Sequence, residues 1–294
     1  MLSSWLYKKI NRSNLPPQKG KCNICGFNGE FLFPEKGREG LHCPNCNSTS
    51  RHRAVIHITG KLLNQGKKAL FSWPRNSSIK ILESSARGFY SVLLNEKFNY
   101  YSTEYDPNKI AKGKDKKRYA DFQNLQYLND EFNIVIASDV FEHIRRDEDA
   151  FKEVYRVLKH SGFMILTIPY DHKRQRTIIR VDTTGENDIL LMEPIYHGGG
   201  GHTLMYRNYG RDLLTFLSNI GFIVSYFELD VDSNGISRQS VIVCSKSDYI
   251  ELYECQSEDI LKSTTIILLA YRLSRLLKLN IKAFKNIWEI YRKK

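Results

Sequence analysis

Ile79-Lys80-Ile81-Leu82-Glu83-Ser84-Ser85-Ala86-Arg87-Gly88 opens the stretch that decides the fold, and Asn99-Tyr100-Tyr101-Ser102-Thr103-Glu104-Tyr105-Asp106-Pro107 closes it. Residues 79–82 are a short β-prone run, residues 83–88 supply small and turn-forming side chains, and residues 89–94 begin a helical pattern. Residues 99–103 then read as a second strand that ends in an acid. Strand, tight turn, helix and strand make half of an α/β unit in which a ligand lies over the carboxyl ends of the strands. Glu104, at the end of the second strand, is placed to accept both hydroxyl protons of a ribose.

Further along, residues 112–118 form a basic loop that leads into Tyr119-Ala120-Asp121-Phe122. Residues 132–137 have the continuous apolar pattern of a buried strand and run into Ser138-Asp139-Val140-Phe141-Glu142-His143-Ile144. Over residues 145–159, Phe151, Val154, Tyr155 and Leu158 share one helical face. Ser161-Gly162 is read as the helix stop, residues 163–168 as the fifth strand, and Pro169 as its end. Residues 171–201 are long, polar and finish in four glycines, the composition of a lid or substrate loop. A helix over residues 212–219 with Gly221 as its C-cap precedes a hairpin of residues 223–229 and 240–245 around Asp232-Ser233-Asn234-Gly235.

In this order the elements resemble the class I S-adenosylmethionine-dependent methyltransferases over residues 79–245. Where that family reads LDIGCGxG, this chain has Leu82-Glu83-Ser84-Ser85-Ala86-Arg87-Gly88, keeping the acid and replacing two glycines by Ser85 and Arg87. The resemblance implies a Rossmann-like, mostly parallel seven-stranded sheet with an antiparallel last strand. It also implies S-adenosylmethionine bound by Glu83, Ser85, Gly88, Glu104, Asp121, Phe122 and Ser138, with Asp121 receiving the adenine amine. Residues 138–144 look like the family's "xHVLEH" continuation of strand four, with Asp139 where many members have histidine. Methyl transfer from a sulfonium expels a neutral leaving group, so the protein mainly aligns the acceptor and, for a hydroxyl, takes its proton. The candidate groups are His143 first, then Asp139, His197 and His202, with His172 also in the polar segment.

Outside that domain, Cys22-Asn23-Ile24-Cys25 and Cys43-Pro44-Asn45-Cys46 stand 17 residues apart. Two C-x-x-C turns at this spacing can present four thiolates to one tetrahedral zinc ion with no open position, which makes a structural ribbon. Arg51-His52-Arg53 follows at the start of a helical stretch to Leu63 and is read as surface charge joining ribbon to domain, with a substrate contact as the alternative. The expected organisation is a leader (1–19), a zinc-ribbon module (20–50), a linking helix (51–74), the methyltransferase domain (75–250) and a basic helical tail (251–294).

Charge placement excludes more than composition does. The 294-residue chain carries +12, but residues 262–294 hold nine bases against Glu289 alone, which leaves +4 for the rest. A dedicated nucleic-acid binder would not have so weakly basic a body. In the tail, Leu269, Leu273, Leu276, Leu277, Phe284, Ile287, Trp288 and Tyr291 recur at helical spacing opposite its basic residues. Such a helix packs on the protein's own body or a second copy, or lies in an anionic membrane interface. No apolar run reaches bilayer length, no signal peptide is visible, and paired cysteines suit a reducing compartment, so a cytoplasmic protein is expected, working at the inner face of the membrane if the tail binds there. The strand-four turn lacks the Asn/Asp-Pro-Pro-Tyr/Phe pattern of adenine and glutamine N-methylation, and no cysteine follows a proline. The reading preferred here is O-methylation of a small or carbohydrate-type acceptor in glycan biosynthesis. An RNA-base methyltransferase using ribbon and tail, and a cofactor-binding protein without turnover, are the alternatives.

Overall fold

A computed structural model describes residues 18–32, 41–113, 115–197 and 202–247. The expected leader, the Gly198–Gly201 run and the basic tail thus lie wholly or largely outside the described residues.

Strands β1 (Gln18–Lys21) and β2 (Asn28–Phe31) pair antiparallel. Helix α1 (Ser50–Leu62) starts from a capping box in which Thr49 Oγ1 accepts from the His52 amide and the His52 ring faces the Thr49 amide. The half-unit then forms: β3 (Asn76–Ser84), α2 (Phe89–Lys97), β4 (Phe98–Thr103), with β3 and β4 parallel. After the short helix α3 (Pro107–Ala111) come β5 (Phe132–Ser138), α4 (Asp147–Val157) and β6 (Leu158–Thr167). Strand β5 is central because Ile134, Val135, Ile136 and Ala137 are all buried, leaving no face for water. Helix α4 buries Ala150, Phe151, Val154 and Val157 and carries three acids in its first turn, where they complement the helix dipole.

Three short antiparallel pairs follow. They join β7 (Ile178–Ile179) to β12 (Arg207–Asn208), β8 (Val181–Asp182) to β9 (Ile189–Leu190), and β10 (Tyr196–His197) to β11 (Thr203–Leu204). Helix α5 (Asp212–Ile220), β13 (Ile223–Val231) and β14 (Ile236–Ser245) finish the described chain. The central sheet runs β13-β14-β6-β5-β3-β4, parallel except for β14. With its helices alternating with the strands, this is a Rossmann-like architecture.

The details depart from the sequence reading at three places. The sheet has six strands among the described residues, because the seventh position shrinks to one parallel bridge, Glu104 to Tyr119. The helix of residues 145–159 ends at Val157, where its last carbonyls accept from the Asp130 and Glu131 amides, and Ser161-Gly162 lies inside β6. Gly162 is required there: a Cβ would come within 3.0 Å of Phe132 O and of the Leu158 side chain, at the register shift opposite Phe132. The polar segment expected to be a lid or substrate loop contains four two-residue strands among its described residues.

The N-terminal module is fastened to the sheet's antiparallel edge. Asn234 Nδ2 donates to Lys21 O at 2.9 Å, and the Ser237 amide donates to Ser50 Oγ at 2.8 Å. Arg53 is fully buried between them and donates to carbonyls of both parts.

Candidate active site

The carboxyl ends of β3, β4 and β5 converge on one rim. At the first, Ser85 is exposed with φ +54 and gives its amide to Thr103 O at 2.7 Å. Gly88 begins α2 with φ +102, a left-handed conformation that strains any L side chain, and a Cβ there would sit 3.1 Å from His52 Cε1. Glu104 stands exposed at the end of β4. Asp121 is half-buried past the Tyr119 bridge and accepts from the Gln123 amide at 2.8 Å, and Ser138 is half-buried at the end of β5. Two carboxylates, Glu104 and Asp121, at adjacent strand ends beside a tight turn suit a nucleoside with a free ribose edge.

Two further residues expected at the cofactor, Glu83 and Phe122, have buried side chains. Glu83 is 0% exposed behind the rim; its carboxylate accepts from Tyr90 Oη and, at 2.7 Å, from Tyr100 Oη. Burial outweighs these two donors and pushes its carboxyl up to about 7. Phe122 is buried edge-on to Phe141, with ring centroids 6.2 Å apart. Both support the rim from behind.

Past β5 the chain turns sharply. Asp139 has φ +52, is held by its amide to Thr167 O at 2.8 Å, and receives Thr167 Oγ1 at 3.3 Å. Arg51 of α1 reaches over the sheet to it: Arg51 Nη1 lies 2.7 Å from Asp139 Oδ2 and 3.1 Å from Ser138 Oγ. This corrects the reading of Arg51-His52-Arg53 as surface charge. The capping box fixes the phase of α1 so that Arg51 faces the strand ends, His52 packs on Tyr90 with ring centroids 5.0 Å apart, and Arg53 points inward. The sequence alone set a substrate contact for this triplet second to surface charge; the position of Arg51 two after the Thr49 cap is the local signal that turns it to the strand ends.

The next turn brings Glu142 and His143 against the β10–β11 ribbon. Glu142 is fully buried; burial, with the nearby Asp139 charge adding, raises its carboxyl to about 8. His143 Nδ1 donates to Leu204 O at 2.8 Å, and burial lowers its pKa. The His143 and His197 rings meet edge to face at 4.4 Å. His202 and His172 are exposed and stand outside this cluster. Glu142 escaped selection from the sequence, although it adjoins His143 in the strand-four motif.

In the ribbon, the four sulfurs of Cys22, Cys25, Cys43 and Cys46 all lie within 4.8 Å of one another, a donor set compatible with tetrahedral zinc. Among the described residues no helix is long and apolar enough to cross a membrane.

With this geometry in view, residues 84–166 match the family described as a methyltransferase domain. That stretch, from the end of β3 through β6 of the Rossmann-like sheet, is a methyltransferase domain, which supports an S-adenosylmethionine-dependent enzyme. Its structure is similar to that of an S-adenosylmethionine-dependent methyltransferase from Mesorhizobium loti, at 13% identity and TM-score 0.41, over 66% of this chain and 96% of that one. It is also similar to the PH0226 protein of Pyrococcus horikoshii, at 17% identity and TM-score 0.39, over 67% of this chain and 91% of that one. No curated protein matches this chain by sequence.

Proposed function

We propose that this protein O-methylates a hydroxyl of a small or carbohydrate-type acceptor, with Asp139 taking the hydroxyl proton. The observation that carries the reading is the Arg51–Asp139 pair at the end of β5. The Asp139 side chain keeps 37% of its surface exposed while Arg51 and Thr167 fix its direction. His143, first by position in the sequence, is less suited, since one ring nitrogen is committed to Leu204 O and the other faces Glu142. S-adenosylmethionine supplies a methyl on a sulfonium whose departure leaves a neutral thioether. What remains for the chain is to hold the acceptor oxygen in line and receive its proton as it becomes an ether. Glu104, Asp121 and Ser138 would hold the cofactor, and the four cysteines a structural zinc.

The acceptor class is read from the segment that the Arg145–Asp188 pair ties to the turn after β5. Polar groups of Asp182, Thr184, Glu186 and Asp188 suit a polyol, while Ile189, Leu190, Leu191, Met192 and Tyr196 are exposed apolar neighbours that suit a lipid or aromatic portion of the acceptor. A body charge of +4 outside residues 262–294 argues for a small acceptor over a long polyanion such as RNA. We place the enzyme in the cytoplasm, with the basic tail bringing it to the inner membrane face where lipid-carried sugars are met. The test is mass spectrometry of sugar nucleotides, lipid-linked sugars and RNA after incubation with the enzyme and S-adenosylmethionine. A methyl ether on a sugar, with kcat lowered about 10²–10⁴-fold in Asp139→Asn, supports the reading. A methylated RNA base, or full activity in Asp139→Asn, overturns it.

A further inference from the structure

Behind the Arg51–Asp139 pair the structure holds a group of side chains that methyl transfer as described does not use. Glu142 is 0% exposed, and neither of its carboxylate oxygens has a hydrogen-bond partner. A buried carboxylate left without donors costs several kcal/mol, so such a group is normally answered by a cation or a proton. One ring nitrogen beside it is His143 Nε2, 3.7 Å from Oε1. Because the Leu204 carbonyl can only accept, the proton of a neutral His143 is on Nδ1, and the lone pair of Nε2 is on the side of Glu142. His197 completes the group: one donor atom from each of Glu142, His143 and His197 lies within 4.8 Å of the others.

The surroundings hold this group in place. The Tyr206 amide donates to Glu142 O at 2.8 Å, and Arg207 donates to Ile144 O at 2.7 Å and Arg145 O at 2.8 Å. The β10–β11 pairing sets His197 opposite Thr203, next to the Leu204 carbonyl that orients His143. An accepting carbonyl on the far nitrogen is what orients a metal-binding imidazole.

We infer that Glu142, His143 and His197 form a divalent-cation site. One carboxylate and two imidazoles suit Mn²⁺, Fe²⁺, Co²⁺, Ni²⁺ or Zn²⁺ better than Mg²⁺ or Ca²⁺. Bonds of about 2.0–2.2 Å bring donors to roughly 3–4 Å from one another, so a small side-chain rotation closes the group around an ion. Three protein ligands leave positions open, and these take oxygen donors such as neighbouring hydroxyls of a polyol. This use of the ion rests on the hydroxyl-acceptor reading above; the site itself does not. A bound ion lowers the pKa of a coordinated hydroxyl, which makes a carboxylate such as Asp139 a sufficient base.

The experiment is a calorimetric and electron paramagnetic resonance titration of the full chain with Mn²⁺ alone, after its zinc content has been measured. The expected result is one Mn²⁺ per chain in addition to any ribbon zinc, with affinity reduced at least about tenfold in Glu142→Gln and in His197→Ala. His197 is half-buried, so that variant carries the test should Glu142→Gln melt early. Absence of Mn²⁺ binding in the wild type, or wild-type affinity in a folded His197→Ala, overturns the inference. Neither acceptor nor S-adenosylmethionine is present, so this outcome is independent of whether methyl transfer to a sugar is found.

Discussion

Replacing Arg53 by Met should cost about 3–5 kcal/mol, although Arg53 touches neither the strand-end rim nor the Glu142 group. Its guanidinium makes five hydrogen bonds: Nε to Asn234 O at 2.9 Å, Nη2 to Gly235 O at 2.7 Å and to Leu41 O at 2.9 Å, and Nη1 to Ser48 Oγ at 3.2 Å and to Ser48 O. It also stacks 4.4 Å over the Phe31 ring. Burial pulls its pKa down and the four neighbouring cysteines pull it back up. Four thiolates around a divalent ion would carry a net charge of about −2 and so compensate the buried cation within the module. Met keeps the apolar stem but provides no donors, which leaves the carbonyls of Leu41, Asn234 and Gly235 to find other donors while Ser48 O keeps the Cys43 amide. Charge-assisted bonds are worth about 1.5–3 kcal/mol each, and resolvation of the outer carbonyls returns part of that sum. At roughly 2–4 °C per kcal/mol for a chain of this size, melting should fall by about 10 °C. Arg53→Lys should recover only part, since one ammonium on a flexible stem cannot span acceptors on both sides. Thermal and urea unfolding of the three proteins provide the measurement. A Met variant within about 1 kcal/mol of wild type would refute the claim that Arg53 joins ribbon and sheet.

Three further outcomes are expected. Elemental analysis should find one zinc per chain in wild type and none in Cys43→Ser, whose methyltransferase domain stays folded by circular dichroism; full zinc in the variant counts against the four-cysteine site. Glu104→Ala should weaken S-adenosylmethionine about tenfold or more by calorimetry, through loss of a charge-assisted contact to the ribose; unchanged affinity removes Glu104 from the cofactor site. For Glu83 the sign follows from a folded pKa raised from 4.5 to about 7. Between those values the folded state retains a proton that the unfolded chain has released, so stability falls as pH rises through the window and stays lower above it. The full effect is on the order of 3 kcal/mol. Glu83→Gln should remove that slope in urea unfolding at pH 5 and pH 8, and an identical slope in both proteins disproves it.

Much of the fold was legible because its signals are local. A strand–turn–helix–strand run, an apolar β5, a one-faced α4 and a glycine-turned hairpin each show within a dozen residues, and their order already implied the parallel sheet. The cysteine spacing was legible for the same reason: a C-x-x-C turn brings its two thiols together unaided. Less visible was where elements stop. Val157 ends α4 because Asp130 and Glu131 cap its carbonyls from another part of the chain, and no periodicity reports that.

The candidate site divides along the same line. By itself the sequence determined which strand ends carry carboxylates, since Glu104, Asp121 and Asp139 each close a recognisable segment. Only the tertiary structure decided that Glu83 turns inward onto two tyrosines, and that His197 rather than His202 meets His143. It alone joined Arg51 to the end of β5 across 87 residues of chain. The physical reason is that side-chain periodicity specifies a face of one element. Convergence of side chains from a capped helix, a strand end and a ribbon depends on how those faces pack, and that packing is set by contacts distributed over the whole domain.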